Sequence, residues 1–507
     1  MDATPAELNL LFPTPAPPPR SSVSPIRHSG WSADSTQALL TALKENHQRW
    51  HIFFNDQKFH NHASHHLLAI YALGASAETL NAAYETHVVY QRPSFKSPGA
   101  IDKSNWKDHL GKDEYYQAYL AFFSSELLAK GTQAVLEEYV FSKDANVVPS
   151  KEGKAPVMLS RYLGGFVHPL IHTGYGAEFG MPGMVAEGIA QAAGQEGDAI
   201  ALFPAELFES PQSVSSMTSR LASFALSAKP SKPTSGGPHA LTILGKIHND
   251  ISMAPDVIGL VAYEGIGNPL EHVERVVDSV GDKIKKYASE WTVSPTKEDL
   301  EAKLEEVIWM NTVIYAIGGY AGREQGHDEK KKFNGDFFLM HLVTSGLLVP
   351  SLLETLSPNT AVLLLRTYFT VALVLYVARG RPALPILDFY KSTTSMPTAP
   401  GTDPSPAPKT LPPATAPNPW LHILQTTLVH PDEHLCKTQR ALAHSAELYG
   451  GASAGQFAHA SKDLEGAELL DGTLFVRAAS LTADRLGWMR EGEEQRSWDH
   501  IGFFRPT

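Results

Sequence analysis

The chain has 507 residues, enough for a large hydrophobic core, and its 43% apolar and 19% charged residues are ordinary for a globular enzyme. A net charge of −12 and the lack of any long basic run argue against a nucleic-acid partner. The only cysteine, Cys436, excludes an intrachain disulfide and any multi-cysteine metal cluster, and favours a reducing, cytoplasmic location.

The first residues, Met1-Asp-Ala-Thr-Pro, lack the basic start and apolar core of an export signal. Residues 1–30 read as a disordered, proline-rich leader. Apolar positions spaced three and four apart then predict helices over 35–49, 62–73, 115–130, 135–141, 183–195, 270–291, 297–317, 336–348, 361–379 and 433–449. Strand candidates are few, 257–262 and 474–478, and no alternation of strand and helix supports a parallel sheet. The expected fold is mainly α, a large single-domain helical bundle with long proline-rich loops. Its parts are the leader, a main helical body over 31–395, a disordered insert over 396–420, and a C-terminal segment over 421–507 packing on the main body. A further mobile connection is expected at 229–238. Residues 337–356 and 361–378 are apolar enough to be mistaken for membrane spans, but His341, Pro350 and Arg366 interrupt them. Charges are costly in lipid, so both read as core helices of a soluble protein.

Histidines carry the chemistry. One stretch reads Phe166-Val-His168-Pro-Leu-Ile-His172-Thr-Gly-Tyr-Gly-Ala-Glu178, an earlier one Phe59-His60-Asn-His62-Ala-Ser-His65-His66, and His341 sits alone in an apolar helix. Imidazole is the commonest transition-metal ligand. The pairs His62/His66 and His168/His172 have the i, i+4 spacing that puts two ligands on one helix face, provided Pro169 lies in the first helical turn and His168 at its cap. Such a site suits iron, copper, zinc or nickel, and Glu178 is the nearest carboxylate. His60 and His65 point to other faces and read as solvated or substrate-contacting, while Gly174 and Gly176 read as a helix end. In the helix over 433–449, His434, Lys437 and His444 share one face. Either that face is solvated, or Lys437 points inward with a lowered pKa and becomes carbamylated, supplying an anionic oxygen ligand. The glycine pairs Gly174/Gly176 and Gly265/Gly267 do not complete a dinucleotide fingerprint. No phosphate-binding loop or Gly-x-Ser-x-Gly elbow is present.

Four ordered segments resemble one family: 61–75 around His62, His65, His66 and Tyr71; His168-Pro-Leu-Ile-His172-Thr-Gly-Tyr-Gly; Phe338-Leu-Met-His341-Leu-Val-Thr-Ser; and Tyr376-Val-Ala-Arg379-Gly-Arg-Pro. Over about 61–450 the chain is similar to the fungal questin oxidase-like proteins. The resemblance implies an oxidoreductase that opens a ring of an anthraquinone-type aromatic polyketide in secondary metabolism. It implies either a non-haem iron site using dioxygen or an NADPH-requiring Baeyer–Villiger-type oxidation. The missing dinucleotide fingerprint favours iron. On that reading His66, His168, His172 and His341 hold the metal, Lys437 is a further ligand, and His62 is the substitute for His66. Tyr71, Tyr175 and Glu178 serve the chemistry or line a flat pocket with Phe337 and Phe338. The expected partners are the small-molecule substrate and dioxygen, with no membrane. A zinc-type hydrolase and a non-enzymatic helical scaffold are the competing classes.

Overall fold

The computed structural model describes residues 3–197, 202–208, 236–262, 268–322, 333–401, 406–413 and 417–504. Most of the expected connection at 229–238, the pair Gly265/Gly267, and parts of the 396–420 insert lie outside the described residues. The described residues form helices, turns and three isolated bridges, with no strand among them, as the helical periodicity predicts.

Both strand candidates are corrected. Residues 474–478 open the helix Leu474–Leu486, whose buried positions Leu474, Phe475, Ala478, Ala479, Thr482, Ala483 and Leu486 continue a helical repeat past the strand-sized window. Residues 257–262 straddle the end of the short helix Pro255–Ile258, which Gly259 closes at φ +79. The leader also departs from expectation. Thr4 and Glu7 form a reciprocal capping box on the helix Pro5–Leu11, and Leu8, Leu11 and Phe12 are buried, so this part of 1–30 is anchored by its apolar face.

One continuous apolar core runs through the helices. Its spine is Pro358–Ala378, which among the described residues is the one helix long and apolar enough to cross a membrane, and 89% of its most apolar window is buried inside the protein. Around it, two elements are tied closely together. The helices Met158–Phe179 and Pro182–Gly194 cross so tightly that a Cβ at Gly188 would fall 2.5 Å from Thr173 Cγ2 and 3.0 Å from the Pro169 carbonyl oxygen. Gly176 belongs to that same close packing, against Val185, and Gly174 sits against Leu348, so neither marks a helix end. The helix stops later, at Gly180 with φ +67.

Candidate metal centre

The backbone is distorted where the first histidine enters. Inside Met158–Phe179, Gly165, Phe166 and Val167 adopt left-handed φ values of 55, 55 and 59. Two of these carry side chains, and such conformations cost on the order of 1–2 kcal/mol each. The turn restarts the helix at His168 with Pro169 in its first turn, as the sequence requires. It also brings the Gly165 carbonyl within 2.5 Å of His168 Nδ1. A carbonyl can only accept, so Nδ1 carries the proton and Nε2 is left with a free lone pair.

Three other imidazoles repeat this arrangement. His341 Nδ1 donates to the Phe337 carbonyl at 2.9 Å, and its Nε2 is buried without a hydrogen-bond partner. His434 Nδ1 lies 3.3 Å from Glu433 Oε1, and its Nε2 is likewise buried and unpartnered. His62 Nδ1 lies 3.5 Å from the same Glu433 oxygen, while its Nε2 meets His168 Nε2 at 2.8 Å. The rings of His341 and His168 are 4.6 Å apart, and those of His62 and His434 4.5 Å. In all four, Nδ1 faces a carbonyl or carboxylate and Nε2 is left for the interior. Metal-ligating histidines are held in this way. The ligand atoms of His62, His168 and His434 all lie within 4.8 Å of one another.

Electrostatics keep these nitrogens available. Burial, then the charge of Lys437, pushes His62 down to about 4. Burial also holds His168, His341 and His434 well below the usual imidazole range, with neighbouring histidines and Lys437 adding to it. Neutral imidazoles are the metal-binding form. Lys437, one turn beyond His434, points inward: its Nζ is buried without a partner, and burial pushes it down to about 8. Of the two readings of this face, the inward orientation of Lys437 with a lowered pKa therefore holds. Phe337 packs 4.6 Å from His434 and 5.3 Å from His341, and Phe338 packs 4.5 Å from Phe166, so one wall is aromatic.

The structure does not bring every expected residue here. His62 precedes the helix Ala63–Ala72 as its cap residue, so the i, i+4 argument linking it to His66 fails. His66 instead pairs with His87 at 3.0 Å, and His87 with Tyr90 at 2.6 Å. Both ring nitrogens of His172 are engaged, Nε2 donating to Glu187 at 2.6 Å and Nδ1 accepting from His65 at 2.9 Å. Glu187 also binds His47 at 2.6 Å. Burial alone would raise its carboxyl, but these two histidines bring it down to about 2. His65 is fully buried in this second chain of imidazoles, not solvated, and Tyr175 stacks on it at 5.3 Å. Glu178 is turned away into a two-toothed ion pair with Arg440, which removes it as a ligand carboxylate. Tyr71 instead bonds Thr36 at 2.8 Å, and its ring lies beside those of Trp31 and Phe179. The carboxylate beside the ligands is Glu433. Spacing alone singles out neither Glu433 nor His434 as part of a metal site, although both lie one turn before Lys437. A surface cleft of about 160 Å³ near Val23, Lys297 and Glu301 contains none of these histidines.

A family model described as Questin oxidase-like matches residues 59–442, a stretch that contains all four imidazoles, Glu433 and Lys437. The chain is 28% identical over 424 residues to the oxidoreductase AflY of Aspergillus parasiticus, covering 81% of this chain and 72% of that protein. It is 27% identical over 417 residues to the questin oxidase of Aspergillus terreus, covering 80% and 79%. It is 29% identical over 332 residues to the Baeyer-Villiger monooxygenase dmxR6 of Cryptosporiopsis sp., covering 64% and 66%.

Proposed function

The chain belongs to the questin oxidase-like family of oxidoreductases, and on that premise we propose that it opens a ring of a fused-ring aromatic polyketide with dioxygen at the histidine centre. The observation that carries this reading is the common orientation of four buried imidazoles, Nδ1 tethered and Nε2 turned inward. Four neutral nitrogens of that kind, two of them orphaned in the interior, fit a divalent transition-metal ion, and iron is the choice suited to oxygen chemistry. His62, His168 and His434 would hold the ion, with His341 beside them, and iron bound there would supply the redox step with dioxygen.

The chain's own residues do the rest. Glu433 fixes His62 and His434 together, which gives the cationic site one nearby carboxylate. Phe166, Phe337 and Phe338 offer a flat apolar face for a planar polycycle and exclude water. Lys437 Nζ, buried with no partner, is a donor for a phenolic or carbonyl oxygen on the ring. Carbamylation of the same amine would instead add an anionic ligand oxygen. The names of the Baeyer-Villiger relatives support insertion of one oxygen atom beside a ring carbonyl as the ring-opening step. The other atom of dioxygen would leave as water, and a two-electron donor such as NADPH would supply that reduction.

Oxygen uptake by iron-loaded protein given a dihydroxyanthraquinone, with and without NADPH, tests this. The expected result is uptake that stops on chelation, with product mass raised by oxygen. Uptake indifferent to chelation would remove the histidine centre from the reaction.

A further inference from the structure

Residues 498–504 lie beyond the stretch that the family model matches, yet they are laced to two of the elements that carry the imidazoles, those of His341 and His434. The Trp498 indole donates to Asp432 at 3.0 Å, and Asp432 in turn caps the helix Glu433–Tyr449 by accepting from the amides of His434 and Leu435. One residue on, the Asp499 carbonyl accepts from the Phe337 amide at 2.8 Å. The buried Arg379 bonds Asp336 at 2.8 Å and the His500 carbonyl at 2.9 Å, and its own carbonyl accepts from Phe503. Asp336 also accepts from the amides of Phe338 and Leu339, which set the turn leading into His341. The segment therefore spans from the His434 helix to the His341 helix. Midway, the half-buried His500 ring lies 4.6 Å from Phe337 at an interplanar angle of 31°. Phe337 is the ring that packs against both His434 and His341.

We propose that residues 498–504 form a strap completing the wall of the site, and that His500 is the strap's contact with a flat aromatic substrate. The proposal rests on the oxidative reading above. Partly exposed and packed on Phe337, the His500 ring offers a face at the solvent end of a run of rings that leads to His434 and His341. A ring there adds face contact with a polycycle, and such contacts typically contribute enough to change affinity about fivefold.

Absorbance titration of the full chain with a dihydroxyanthraquinone tests it, using His500→Ala and His500→Phe. The expected result is binding about fivefold weaker in His500→Ala and restored in His500→Phe, with melting temperature and metal content unchanged in both. Wild-type binding in His500→Ala overturns the strap's role and leaves the histidine centre standing. A wild-type chain that fails to bind the probe overturns the substrate reading, and the strap with it. Loss of binding in His500→Ala that tracks a fall in melting temperature, with no rescue by phenylalanine, shows a merely structural segment and also overturns the proposal.

Discussion

His62 Nε2 and His168 Nε2 stand 2.8 Å apart although 106 positions separate them in the chain. His168 Nδ1 is bound to a carbonyl and His62 Nδ1 faces Glu433, so both Nε2 lone pairs converge on the same space. An ion held between them would satisfy both. Substituting alanine for His62, His168 or His434 should therefore lower bound metal at least tenfold, in line with what loss of coordinating or orienting groups does to metal sites. His66→Ala should leave metal content unchanged, because His66 faces His87. Elemental analysis of the four variants checks both statements.

Glu178→Ala separates a structural carboxylate from a ligand. It leaves the Arg440 guanidinium buried and without its ion-pair partner, and breaking a buried pair costs about 3–5 kcal/mol. Chemical denaturation should show a loss of that size, while metal content stays at the wild-type level. A loss of metal at unchanged stability would return Glu178 to the ligand set.

These two cases show what the sequence makes legible. Periodicity identifies the helices because each buries an apolar stripe, and the helix over 433–449 is read to its residue limits. The expectation that Pro169 sits in a first turn also survives, although His168 is the first helical residue and not the cap, since the left-handed turn through Val167 restarts the helix there. Ligand choice was less legible. Spacing says which residues share a helix face but not where a helix begins, and His62 falls one residue outside its helix. Nor does spacing show that an acid is already taken, as Glu178 is by Arg440, 262 positions away. His434 and Lys437 share a face by spacing, but only packing shows that face turned inward.

Gly188→Ala should disturb the site from a distance. The added methyl would sit 2.5 Å from Thr173 Cγ2 and force apart the helices that carry His168, His172 and Glu187. Overpacking of this kind costs about 1–3 kcal/mol. A fall in melting temperature with weakened metal binding is expected, and Ala190→Gly on the same helix should weaken stability without the second effect.

Stability should depend on pH with a definite sign. Burial holds His66 at about 3 and His239 and His444 at about 4, below their ordinary 6.5. The unfolded chain therefore takes up protons first as pH falls. These groups leave stability flat above pH about 7, and each lowers it by about 2 kcal/mol at pH 5. Glu187 acts in a lower window: brought down from 4.5 to about 2, it contributes stability above 4.5 that is lost as pH falls toward 2. Calorimetry between pH 8 and 5 should show a plateau and then a steep fall in melting temperature. A flat profile through that range would contradict the buried, neutral state of these imidazoles.

The most direct measurement is the metal-to-chain ratio of the purified, active protein, followed by chelation and reloading. About one transition-metal ion per chain is expected, with loss of oxygen uptake on its removal and recovery when ferrous iron is restored. Full activity in protein carrying no transition metal would contradict that expectation.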